Sequence, residues 1–287
     1  MEISVNVIDF MVELRAVGSI GCELIQQKWQ RDSITHEFIR KKQHIAVALV
    51  SDSELELKDT SVLKEFREYL NELSPVAKFI HHGRVSVVMN CSPKMFYTHG
   101  ECRLFDPSRE ILYGIIDRHT CMPSGKRQKH TTCNDPAKGL FSEMFDTFLK
   151  QFPDSNPIIL VYSHFIPCDI DFHGCCQVLA TFSERQNLKL IISYEDVYEN
   201  TNRGNSERIL KSQKNITLIE PEQLFSRLDG QFFGELEKEW RNREHPDDTD
   251  EVGDWDNVYL NKIQDMETRM LTKPSRKSIF IYHRFST

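Results

Sequence analysis

Ile158–Glu195 reads IILVYSHFIPC (158–168), DIDFHG (169–174), CCQVLATFSERQN (175–187) and LKLIISYE (188–195). The first piece is a continuous apolar run of strand length that ends at Pro167-Cys168. A short polar loop follows. Cys175, Val178, Leu179 and Phe182 then recur at helical spacing. Leu188–Tyr194 is a second apolar strand. Strand, cysteine-bearing loop, helix, strand predicts two parallel strands joined by a helix. Cys168 falls at the end of a buried strand. Cys175 falls in the first turn of a helix, where free N–H groups favour a thiolate. Two sulfurs so placed can grip one tetrahedral zinc ion, or they can be two inert buried cysteines.

Working outward, Leu140, Phe141, Met144, Phe145, Phe148 and Leu149 form the apolar stripe of a helix over Ala137–Gln151. Downstream, Glu207–Gln213 reads as a short helix, Ile216–Ile219 as a strand, and Pro221 as the first residue of another helix. Upstream, Asp59-Thr60-Ser61 caps a helix that begins near Val62 and continues through Phe79 and Ile80 to Gly83, with Pro75 kinking it or dividing it in two. Val85–Met89 and Ile111–Ile116 read as two strands of a long hairpin. The order from Val62 predicts a three-layer α/β/α sandwich with a mixed central sheet. Residues 61–228 form this domain. Residues 1–60 and 229–287 read as N- and C-terminal extensions, the second one helical.

The net charge of −7 argues against a dominant, sequence-independent grip on nucleic acid. Lys126, Arg127, Lys129 and His130 nevertheless make a local basic patch. Eight cysteines in 287 residues are not a disulfide scaffold, the N-terminus lacks a basic n-region, and no apolar run reaches membrane-spanning length. The expectation is a reducing intracellular compartment, cytoplasm or nucleus, and no membrane. No glycine-rich phosphate loop, Gly-x-Ser-x-Gly or His-Glu-x-x-His is present.

Pro167-Cys168 and Cys175, with the order of elements around them, resemble the cytidine deaminase-like superfamily, nearest to the AID/APOBEC group. One branch of that group also has six residues between its cysteines and a doubled cysteine such as Cys175-Cys176. The resemblance implies zinc on Cys168 and Cys175, a histidine as third ligand and a glutamate two residues later that shuttles protons. It implies cytidine as substrate, in a nucleoside, single-stranded DNA or RNA. The helix expected to carry His-x-Glu shows it damaged. In one register Phe141-Ser142-Glu143 keeps the glutamate and loses the histidine. In the other, Asp135-Pro136-Ala137 loses the glutamate and leaves Asp135 as an oxygen ligand. The literal His99-Gly100-Glu101 reads as an exposed turn. His130, Cys133, His164 and His173 are stand-in ligands. Two functions follow. One is a weak or inactive relative acting as a binding or regulatory module. The other is an active zinc-dependent deaminase with Glu143 as acid/base.

Overall fold

A computed structural model describes residues 3–31, 43–75, 79–90, 99–106, 110–111, 139–170 and 174–226. All of them belong to the compact unit Met1–Phe232. In chain order the elements are α1 (Val5–Arg31), β1 (His44–Val50), α2 (Asp52–Glu56), α3 (Ser61–Glu72), β2 (Phe79–His82), β3 (Val85–Met89), α4 (Gly100–Phe105), α5 (Leu140–Gln151), β4 (Ile158–Phe165), α6 (Cys175–Gln186), β5 (Lys189–Asp196), α7 (Arg203–Lys211) and β6 (Ile216–Ile219). The six strands form one sheet in the order β2-β3-β1-β4-β5-β6. β2/β3, β3/β1 and β1/β4 pair antiparallel, and β4/β5 and β5/β6 pair parallel. The expected mixed sheet between helical layers is therefore the architecture.

Alternation along the strands divides the core in two. Ile45, Val47, Leu49, Ile159, Val161, Leu190 and Ile192 face α4, α5 and α6. Ala46, Ala48, Val50, Ile158, Leu160 and Tyr162 face α1 and α3. The α1 face works by close approach. A Cβ on Gly18 would stand 2.8 Å from the Cβ of Ala46, so larger residues at either position would push helix and sheet apart.

Three sequence expectations are corrected. Residues 44–50 are not part of an extension but the strand between β3 and β4, buried along its whole length. A strand paired on both edges and covered on both faces needs no polar alternation, which is why HIAVALV reads as a plain apolar run. The helix capped at Asp59 ends at Glu72, and Phe79–His82 is extended and paired with β3. The N-cap residue is Thr60, whose side chain makes no capping bond, while Asp59 Oδ1 accepts the N–H of Ser61, the first helical residue, at 2.9 Å. Ile111 is helical, and residues 112–116 lie outside the described part, so the strands paired with Val85–Met89 are β1 and β2.

A buried ion pair closes the end of the sheet beside β1. The Arg84 guanidinium donates to both Glu54 oxygens at 2.8 and 2.9 Å and to the Leu49 carbonyl at 3.0 Å. Both side chains are only 7% exposed. Glu54→Ala would strand that guanidinium, and the expected loss is about 3–5 kcal/mol of unfolding free energy, read by denaturant titration.

Candidate metal centre

Three side chains meet where α4, the loop after β4 and α6 converge. His99 Nδ1 lies 3.2 Å from Cys175 Sγ and 3.4 Å from Cys168 Sγ, and the two sulfurs are 3.5 Å apart. They are a group of metal-ligating atoms lying within 4.8 Å of one another. His99 is the N-cap residue of α4 and half-buried, while Cys168 and Cys175 are buried. Cys168 is set by the end of β4, where the Ile166 N–H donates to the Asp196 carbonyl. The Cys168 carbonyl in turn accepts from the Cys176 N–H at 3.1 Å, which ties the loop to the first turn of α6. Asp169 secures the same loop from α7, accepting from the Asn202 N–H and the Asn205 amide.

Thiol and imidazole tune one another in this cluster. The Cys168 thiol is held well below its usual range, first by the hydrogen bond from Cys175 and then, against burial, by His99. Burial pushes the Cys175 thiol well up. Burial opposes protonation of His99, but the bond and charge of Cys168 outweigh it and raise its affinity for a proton. Cysteine and histidine side chains bind metals deprotonated, so such a set sheds protons when a cation arrives.

Two residues after His99, Glu101 is buried at 5% exposure. Burial raises its pKa above the ordinary carboxylate value. Its Oε1 is 2.9 Å from the Ser163 hydroxyl, which also lies 2.6 Å from the Phe165 carbonyl. The Ser163 hydroxyl donates to the Glu101 carboxylate, a bond that favours the ionised form and partly offsets burial. His99, Glu101 and Cys168 line a cavity of about 30 Å³ with Asn90, Phe165 and Tyr198. That is room for one or two waters.

The expectation that His99-Gly100-Glu101 is an exposed turn is overturned. Gly100 and Glu101 are buried in a six-residue helix that packs on β3. Gly100 belongs there because a Cβ would meet the Val88 carbonyl oxygen at 3.0 Å and Ile45 Cγ1 at 3.1 Å. The available signal was the literal His-x-Glu, its histidine 69 residues before Cys168, which reads as a turn rather than as the start of a helix. Two helical turns are too short to show an amphipathic period.

Glu143, the acid/base candidate of the other register, sits on an exposed face of α5 and does not line the cavity. Its Oε2 is 3.7 Å from His81 Nε2, and His81 Nδ1 is 2.9 Å from Ser86 Oγ. This row imitates a Ser-His-Glu triad, but Ser86 is fully buried beneath Met144, where no substrate reaches a nucleophile. His164 points to Glu195, 3.4 Å away, rather than to the sulfurs. Asp135, His130, Cys133, His173 and the basic patch at 126–130 lie outside the described residues. Among the described residues no helix is long and apolar enough to cross a membrane. No family model, curated protein or solved structure matches this chain.

Proposed function

We propose that this chain is a zinc-dependent hydrolase that deaminates cytidine, free or within a single-stranded nucleic acid. The observation that carries the reading is the convergence of His99, Cys168 and Cys175, with Glu101 lining one cavity together with His99 and Cys168. One nitrogen and two sulfurs are zinc donors. Tetrahedral zinc with ordinary bond lengths sets N···S at about 3.6 Å and S···S at about 3.8 Å. The three separations here fall short of those values by about 0.2–0.4 Å. Three protein ligands beside a cavity leave the open position that distinguishes a catalytic zinc from a structural one.

Zinc, when bound, supplies Lewis-acid activation of water at neutral pH. The chain's own residues do the rest. Glu101, with its proton affinity raised by burial, is placed to take a proton from the attacking water and return it to the base. Ser163 holds one of its oxygens. Phe165 and Tyr198 supply apolar walls.

Glu101 takes the role that the sequence reading gave to Glu143, and the complete ligand set favours the active enzyme over the inactive relative. The test is metal content together with product formation from cytidine, single-stranded DNA and RNA. Zinc at one equivalent and uridine or uracil from at least one substrate is the expected result. Absence of product from all three removes the reading.

A further inference from the structure

A helix that begins at a histidine metal ligand has a capping problem. His99 occupies the N-cap of α4, yet its side chain makes no capping hydrogen bond, and its Nδ1 faces the two sulfurs. Helix N-termini leave backbone N–H groups that need acceptors, and here they are buried. The acceptor comes from another element. Asn90, directly after β3, takes the Gly100 N–H on its Oδ1 at 2.9 Å. Its own amide donates to Gln43 Oε1 at 2.7 Å, and its backbone N–H donates to the Gln43 carbonyl at 3.2 Å.

The direction of this chain is forced. Gly100 N–H can only donate, so Asn90 must present oxygen to it and NH₂ to Gln43, which must answer with oxygen. A second clamp lies one turn on, where the buried Arg103 donates to the Met89 carbonyl at 2.5 Å. The bare Cα of Gly100 rests against the Val88 carbonyl between the two. α4 is thereby fixed to the end of β3 at the residue that separates His99 from Glu101.

We propose that Asn90 is a positioning residue of the metal centre, a detached N-cap that sets where His99 presents its nitrogen. The inference rests on the metal reading of His99, Cys168 and Cys175. It goes beyond that reading by assigning the aim of one ligand to a side chain that does not touch the metal. Outer partners that orient metal-ligating histidines typically contribute about 10- to 100-fold in affinity.

The test is competition titration of the full chain with zinc alone against a chromogenic chelator. Asn90→Leu keeps the approximate size and removes the acceptor, and its zinc affinity is expected to fall about 10- to 100-fold. Asn90→Asp keeps the acceptor and places a carboxylate at a helix N-terminus, and it is expected to restore most of that loss. A merely space-filling role would not separate the two. Hydrogen exchange at the Gly100 amide of the unsubstituted chain gives an independent reading should Asn90→Leu not fold. Slow exchange is expected, and the rate of an open amide overturns the cap. An Asn90→Leu chain that binds zinc as well as the parent, or an Asp variant as weak as Leu, overturns the inference alone. A parent chain without affinity for zinc overturns it together with the metal reading.

Discussion

Glu101→Gln is expected to lower deamination by about 10²- to 10⁴-fold while leaving zinc content unchanged. Glutamine has the same outline and still offers Ser163 a hydrogen-bonding partner, so the 2.9 Å contact and the packing of α4 survive. It cannot take up and give back a proton. Glu101 is not one of the three converging ligands, so metal content should not follow activity down. The measurement is initial rate on whichever cytidine substrate the parent accepts, with metal analysis on the same preparations. Activity within a few-fold of the parent would remove Glu101 from the chemistry. Equal loss of zinc and activity would make it a structural residue. The same substitution at Glu143, exposed on α5, is the control and should leave the rate untouched.

The second large effect concerns the sulfurs. Cys175→Ser replaces a buried thiol at the corner between His99 and Cys168 with a hydroxyl, which is a harder and far weaker acid. Zinc affinity should fall by more than the roughly 10- to 100-fold that an outer-sphere partner contributes. Chelation of the parent chain offers a reading without mutation. Zinc at about 1,000 times its dissociation constant stabilises a folded chain by about 4 kcal/mol. In a unit of this size each kcal/mol moves Tm by about 2–4 °C, so removing the metal should lower Tm by roughly 8–16 °C. Calorimetry with and without chelator checks this. A Tm indifferent to zinc, or a Cys175→Ser chain that binds it as the parent does, ends the metal reading.

What could be seen in the sequence and what could not divides along a physical line. The unit from Ile158 to Tyr194 was legible because its signals are local. Parallel strands buried on both faces leave unbroken apolar runs, and a twelve-residue helix shows its period. β1 emits the same kind of signal, but nothing near it in sequence says which strands will flank it. Its partners are β3 and β4, and among the described residues β4 lies on the far side of six intervening elements. α4 is the more instructive case. Six residues beginning with glycine have weak helical preference of their own. What makes them a helix is non-local: the Val88 carbonyl that admits only a glycine, and the burial of Cys102, Leu104 and Phe105 against β-strands and neighbouring helices. The sequence therefore points to α5 and its Glu143 as the long amphipathic helix, while the intact His-x-Glu reads as a turn.

The central place of β1 bears on how the chain comes to be folded during synthesis. HIAVALV leaves the ribosome early, greasy on both sides and with two open hydrogen-bonding edges. One edge is satisfied once β3 has been made, but the other waits for β4. Sulfur and imidazole ligands face each other only across that last seam, so the cation has no home on a nascent chain. Any metal uptake would then be a late event, preceded by the zipping of an early strand between two later ones.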